Sequence, residues 1–267
     1  MSPRWPRPTA PRRCRRRPRW ARQRLLPRRQ HPPPPQRRRP GRAATMPWPG
    51  AGLAGAVARG PVNPEQALRD LALRLMPPGF GCAVLSLAQD PDPLLPAEEV
   101  AMARAVPKRR REFALGRMAL RRALAEAGHE RPASAPITQR PDRRPDLPQA
   151  QRASLSHSGA HCIAIAAPRG GPWVGVDIEP LDRAPPEGLS EVVMPYRMAD
   201  PDPLLVFCGK EAMFKAQYPA SGRMLDFSAV PAVVRGDRIR ACLGHRLIGG
   251  RWGVAAGYYL AISLWRG

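Results

Sequence analysis

Trp173-Val174-Gly175-Val176-Asp177-Ile178-Glu179 alternates with period two and reads as a β-strand. Val176 and Ile178 then point to one face and Asp177 and Glu179 to the other, so two carboxylates stand side by side. Like charges at that spacing repel and raise each other's pKa unless a cation or a donor separates them, and a hard, oxygen-preferring divalent ion, Mg2+ above all, does this most simply. Alone, a D-x-E pair is more commonly a solvated strand end. About thirty residues on, Phe207-Cys208-Gly209-Lys210-Glu211-Ala212-Met213-Phe214-Lys215 falls within a helix predicted over residues 203–217. Glu211 and Lys215 are i, i+4 neighbours, which an ordinary surface ion pair explains, and Met213 and Phe214 suit core packing. Combined with the strand, Glu211 offers a third carboxylate, and Lys210 and Lys215 supply cations for a phosphate.

Working outward, Arg169-Gly170-Gly171-Pro172 reads as a hinge before that strand. Beyond the helix, residues 227–234, 238–243 and 251–265 read as strands of an antiparallel sheet. Before the hinge, Asn63-Pro64-Glu65 opens a helix with Leu68, Leu71 and Leu75 on one stripe, and residues 80–87 form a buried strand. A short helix is expected over residues 98–105. The spacing predicts the longest helix over residues 108–127, with Phe113, Gly116, Leu120, Ala123, Leu124 and Ala127 on its apolar stripe and Gly128 as cap. Arg109 and Arg117, eight residues apart on it, project within about 80° of each other and could converge on one polyanion; for a helix standing alone, such a face is more commonly just solvated. Residues 129–153 form a Pro-, Arg- and Asp-rich connection, followed by strands over 154–157 and 161–167 around the Ser158-Gly159 turn. The expected fold is α+β, with two halves of similar size over residues 46–170 and 171–267.

The 267 residues carry a net charge of +23 and include 36 prolines. Residues 1–45 contain sixteen arginines, eleven prolines and no acid, so the chain from Met46 onward carries only +7. Proline and self-repulsion prevent packing there, and the tail is expected to be disordered or not native, with Met46 the working start. A polyanion-binding arm and an export signal are the other two readings. Residues 46–267 are long enough, and apolar enough, for a real core, which excludes a wholly disordered chain. The longest apolar run, residues 253–265, is too short to span a bilayer. Five dispersed cysteines, without CxxC or Cys/His spacing, fit a reduced, cytosolic compartment.

Ser154-Leu155-Ser156-His157-Ser158-Gly159 places a histidine at a strand end, where it can donate to a phosphate oxygen; as a lone residue it is more commonly structural. It is no serine-nucleophile frame, because G-x-S-x-G is absent. The ordered set PKRRREFALGRMALRRAL, SLSHSG, GVDIE and FCGKEAMFKAQYP resembles the 4'-phosphopantetheinyl transferases, specifically the enterobactin-synthase-component-D-like branch of the Sfp-type group, from about Leu85 to the C-terminus. The resemblance implies two pseudo-symmetric α+β halves with coenzyme A and Mg2+ in the cleft between them. It implies a transferase of secondary metabolism that moves 4'-phosphopantetheine from coenzyme A to a serine of an apo acyl or peptidyl carrier protein. By motif, Asp177 and Glu179 match the metal carboxylates, with Glu211 completing the metal site or acting as the base for the incoming serine. Arg109 and Arg117 match the arginines that hold coenzyme A phosphates, Ser156 and His157 the pair at the nucleotide, and Lys210 and Lys215 the lysines near the diphosphate. Near Gln139, where the family commonly has a basic residue, Arg140 or Arg143 stands in. The segment from Glu179 to Lys210 is shorter than in the family. A monomer is expected, with no membrane contact and nucleic acid bound only nonspecifically through residues 1–45. The competing readings are a polyanion-binding protein acting through the tail and a degenerate transferase that binds coenzyme A without turnover.

Overall fold

The computed structural model describes residues 63–267 except 183, 201 and 245, so the readings of residues 1–45 lie outside the described residues. The first helix, α1 (Pro64–Leu75), begins where the sequence predicts: Asn63 Oδ1 accepts from the backbone N–H of Glu65 and Gln66, and Pro64 takes the first helical position, whose N–H has no helical partner in any case. There follow β1 (Gly81–Ser86), α2 (Pro96–Met102), the long α3 (Pro107–Glu126), β2 (Ala153–Ser158) and β3 (His161–Ala166). These strands form an antiparallel sheet ordered β1-β3-β2. The short helix α2 starts earlier than predicted because Pro96 serves as its first residue.

The second part contains β4 (Trp173–Pro180), α4 (Leu189–Val192), β5 (Tyr196–Arg197), α5 (Pro203–Ser221), a 3-10 turn (Phe227–Ala229), β6 (Ala232–Arg235), β7 (Arg238–Leu243), β8 (Arg246–Ala255) and β9 (Tyr258–Trp265). Its six-stranded sheet runs β4-β9-β8-β7-β6-β5, antiparallel except for the β5–β6 pair. Two predicted strands are corrected. Residues 251–265 are not one strand but most of a β8–β9 hairpin. Ala256 and Gly257 both have positive φ, the two-residue turn whose twist suits a hairpin. Residues 227–234 divide at Pro231, which follows the turn capped by Asp226 and donates no ladder hydrogen bond. Between β4 and α5 the elements among the described residues are the four-residue α4 and the two-residue β5. Helix α5 continues beyond the predicted Gln217, through Pro219, to the left-handed cap Gly222.

The sheets differ in strand number, but each repeats one packing device. A Cβ on Gly81 of β1 would lie 1.9 Å from Ala123 O of α3, and a Cβ on Gly175 of β4 would lie 1.9 Å from Ala212 O of α5. In each half, strand backbone therefore rests directly on the backbone of the long helix. This internal correspondence, in an α+β chain with two sheets, supports the expected pair of related halves. A shared core joins the sheets: Leu68 and Leu71 of α1, Val84 and Ile163 of the first sheet, and Val176 and Ile262 of the second are all buried together. The close approach of β2 to β4 brings Ser154 to Val176, whose N–H donates to Ser154 Oγ at 3.1 Å.

Candidate active site

At this β2–β4 seam, alternation turns Asp177 and Glu179 away from the shared core and toward α5, as the sequence predicts. Asp177 is 4 % exposed. Its Oδ1 accepts from Lys215 Nζ at 2.6 Å and from Ser156 Oγ at 2.8 Å. Its Oδ2 is buried without a hydrogen-bond partner among the described residues. Ser158 Oγ donates to Glu179 Oε2 at 3.0 Å, and Lys215 Nζ also reaches Ser156 Oγ and Val176 O, each at 3.2 Å. Ser156, His157, Asp177, Glu179, Glu211 and Lys215 line one cleft of about 270 Å³. Burial pushes the Glu211 carboxyl upward against the pull of Lys215. Burial acts to lower the Lys215 pKa, but the charge and hydrogen bond of Asp177 outweigh it, and the ammonium is held above its ordinary value.

The adjoining cavity is larger, about 760 Å³, and shares Leu155, His157 and Lys215 with the cleft. Helix α3 contributes Arg109, Glu112 and Arg117 to its wall. Arg109 Nη1 lies 3.3 Å from His157 Nε2, an acceptor on the neutral imidazole. Burial, together with the charges of Arg109 and Lys215, lowers the His157 pKa, with Glu112 and Asp177 opposing. Arg117 is 3 % exposed; its guanidinium lies 3.9 Å from the Phe113 ring centroid, Nε donates to Ile137 O at 2.6 Å, and burial draws its pKa down to about 10. It remains charged at neutral pH.

One predicted site residue is placed elsewhere. Lys210 lines neither cavity and is 1 % exposed; its Nζ donates to Val193 O at 2.7 Å and Phe227 O at 2.8 Å. On a helix, Glu211 and Lys215 share a face, whereas Lys210 is turned about 100° from Glu211. The lysine therefore ties α5 to the segment before β5 and to the 3-10 turn, and does not meet a diphosphate. Sequence reading reached one part of the cavity wall only in offering Arg140 or Arg143 near Gln139, and missed its other residues there. Arg140, Asp142, Arg143 and Arg144, with Trp173 and Tyr218, line it from the connection and the second half. For Arg144 the arginine density of residues 140–144 was the available signal, and the lack of periodicity concealed it. The isolated bridge Gln139–Pro145 shapes that connection into a loop, with the Arg144 guanidinium 4.9 Å from the Tyr218 ring centroid.

Among the described residues no group of three or more His, Cys, Asp and Glu side chains is arranged to hold a metal ion. Asp177, Glu179 and Glu211 share a cleft but do not form a ready cage, because Lys215 already supplies the cation beside Asp177. The buried, unpartnered Asp177 Oδ2 is nevertheless an acceptor of the kind a hard cation takes, and the donor set is all oxygen. The cleft's chemistry fits Mg2+ in its residues.

A family model described as "4'-phosphopantetheinyl transferase N-terminal domain" matches residues 97–167. The chain is 35 % identical over 157 residues to 4'-phosphopantetheinyl transferase PptT of Mycobacterium tuberculosis, covering 54 % of this chain and 68 % of that protein. It is 35 % identical over 181 residues to 4'-phosphopantetheinyl transferase Svp of Streptomyces mobaraensis, covering 61 % and 72 %. With 4'-phosphopantetheinyl transferase Npt of Nocardia iowensis it shares 36 % identity over 141 residues, covering 49 % and 62 %. An acid-lined cleft opening into an arginine-walled cavity, on a chain with these similarities, makes this protein an enzyme of the 4'-phosphopantetheinyl transferase family.

Proposed function

We propose that the protein transfers 4'-phosphopantetheine from coenzyme A to a serine of an apo acyl or peptidyl carrier protein, with Mg2+, releasing 3',5'-ADP. The observation that carries this is the junction of the two cavities at His157 and Lys215, which puts a phosphate-binding wall next to a carboxylate cleft. In this reading coenzyme A lies in the larger cavity, with phosphates at Arg109 and Arg117 and the diphosphate directed past Ser156 and His157. The arginines of the 140–144 loop add charge for the nucleotide end. The halves read over residues 46–170 and 171–267 both line the larger cavity through described residues, α3 and the 140–144 loop from the first and Trp173 and Lys215 from the second.

Asp177, Glu179 and Glu211 are the residues that would hold Mg2+, which supplies charge neutralisation for the diphosphate. Glu211 takes the proton from the incoming serine hydroxyl. The serine oxygen bonds to the phosphorus bearing pantetheine, and the bond from that phosphorus to the bridging oxygen breaks. Lys215, held at the cleft by Asp177, offsets the charge that grows on the departing 3',5'-ADP. Arg109 Nη1, beside His157 Nε2, orients the imidazole at the seam, and burial with the neighbouring Arg109 and Lys215 charges lowers its pKa. Placement in the enterobactin-synthase-component-D-like branch, with siderophore assembly as the setting and the cytoplasm as the compartment, belongs to the same reading. It rests on the ordered motifs and on four reduced cysteines among the described residues. No helix among the described residues is long and apolar enough to cross a membrane.

The test is intact-mass spectrometry of a panel of apo carrier proteins with coenzyme A. One phosphopantetheine should be gained by at least one carrier, lost on chelation, restored by Mg2+ and absent in Asp177→Asn. No gain on any carrier would refute the assignment. Coenzyme A binding without gain would instead favour the degenerate homologue.

A further inference from the structure

The six-stranded sheet has a second face, turned away from α5 and from the catalytic cleft. Ile239 and Ala241 of β7 point into the α5 core, so Arg238 and Arg240 point the other way. The register sets Arg238 opposite Arg251 on one side and opposite Arg235 on the other, and it sets Arg240 opposite Gly249. Directly opposed like charges destabilise a strand pair. One acid answers them: Asp237 accepts from Arg251 Nε at 3.0 Å and Nη2 at 2.6 Å. Arg235 and Arg240 make no side-chain hydrogen bond or ion pair among the described residues.

Between these arginines and the C-terminal end of α1 lies a groove of about 440 Å³. Arg238, Arg240 and Arg251 form its basic side; Leu75, Met76 and Leu264 form its apolar side. Its floor includes Gly249 and Gly250. A Cβ on Gly250 would lie 2.8 Å from Ile262 O, so packing demands that glycine. Gly249 is different: a Cβ there would meet only Ile239 O, at 3.9 Å, and its φ is not positive. Neither backbone conformation nor packing requires glycine at 249, yet glycine inside a strand weakens it and often marks a close approach by a ligand. The missing side chain keeps the groove open beside the unpaired Arg240.

We propose that this groove binds an anionic amphiphile: a carboxylate or phosphate head between Arg238 and Arg240, and a short hydrocarbon chain along Leu75, Met76 and Leu264. The head group relieves the arginine repulsion, and the chain fills the groove along Leu264 and the edges of Leu75 and Met76 that line it. This inference is independent of the transfer reaction, because the groove shares no residue with the catalytic cleft or the larger cavity.

Calorimetric titration of the full chain with octyl phosphate and with octanoate tests it and separates the two head groups; inorganic phosphate and octanol are the controls. One saturable site is expected for at least one amphiphile, with each control weaker. Gly249→Val, which fills the floor, and Arg240→Glu, which reverses the charge, should each weaken that site at least tenfold by general steric and charge arguments. Melting curves establish that both variants fold, and Gly249→Ala is the milder substitute if Gly249→Val does not. Affinity unchanged in the folded glycine variant would place binding in the larger cavity or on the Arg-rich tail and overturn the proposal. Inorganic phosphate binding as tightly as octyl phosphate would overturn it as well. So would capture by anionic phosphatidylglycerol vesicles, sensitive to Arg240→Glu, without binding of the monomeric amphiphiles; that result means a bilayer surface.

Discussion

Replacing Gly175 by alanine tests how the fold sets the chemistry. The new Cβ would sit 1.9 Å from Ala212 O and 2.5 Å from Ala216 N, both backbone atoms of α5, so no side-chain rotation relieves the clash. The helix must retreat from β4 by about 1 Å, and overpacking of this kind costs about 1–3 kcal/mol. For a domain of this size that lowers Tm by roughly 3–10 °C. The same retreat carries Glu211 and Lys215 away from Asp177, stretching the 2.6 Å Lys215–Asp177 contact. A displacement near 1 Å at a reacting centre can cost about 100-fold in rate. Gly81→Ala is the matched control, because its Cβ meets Ala123 O of α3 at the same 1.9 Å. It should destabilise comparably but move Arg109 and Arg117, raising KM for coenzyme A more than it lowers kcat. The assays are thermal melting and steady-state phosphopantetheine transfer monitored by carrier mass. Gly175→Ala with unchanged Tm and kcat would refute the direct strand-on-helix contact and the dependence of the cleft on it.

Lys215→Ala removes the cation beside a nearly buried Asp177. Breaking such a pair costs about 3–5 kcal/mol, whereas Lys215→Met with Asp177→Asn should recover much of the stability and none of the turnover; full activity in the double variant would disprove Lys215's role. Arg117→Ala should raise KM for coenzyme A with a smaller effect on kcat, measured by the same transfer assay, and equal loss of fold and function would instead make Arg117 structural. Lys210→Met should leave turnover intact and lower stability by about 1–3 kcal/mol through two unpaired carbonyls, read by denaturant melting; loss of turnover in a folded variant would return Lys210 to the site. Burial pulls the Lys210 pKa down from 10.5 to about 8. Between those values the unfolded chain binds more protons than the folded one, so stability should rise with pH from about 8 to 10.5, and Lys210→Met should remove that rise. An identical pH profile of Tm in both proteins would contradict it.

Much of the architecture was legible where one periodicity prevailed. The α3 stripe from Phe113 to Ala127, the cap at Asn63 and the alternation at Val176-Asp177-Ile178-Glu179 each repeat a local rule often enough to be read. Failures came where two rules competed or none applied. Across residues 251–265 the apolar run concealed a reversal, because a turn of Ala256 and Gly257 adds little polar interruption to a hairpin buried for part of its length. In residues 129–153 there was no period at all, so the motif offered Arg140 or Arg143 near Gln139 while the loop that adds Asp142 and Arg144 to the cavity wall looked like a connector. Lys210 stands in the motif beside Glu211, but helical phase turns it about 100° away, onto Val193 O and Phe227 O.

Chain order and residue chemistry alone determined which carboxylates and cations were available, and that Asp177 and Glu179 face one way while Glu211 and Lys215 share a helical face. These are consequences of backbone period, which every local segment carries within itself. Tertiary packing decided that the two pairs meet: Gly175 lets α5 close onto β4, and β2 crosses to the same seam with Ser156 and His157. It also decided that Lys210 turns inward and that a second, arginine-lined groove opens on the far face. Such contacts join residues tens of positions apart through close packing, and no local period encodes the distance between them.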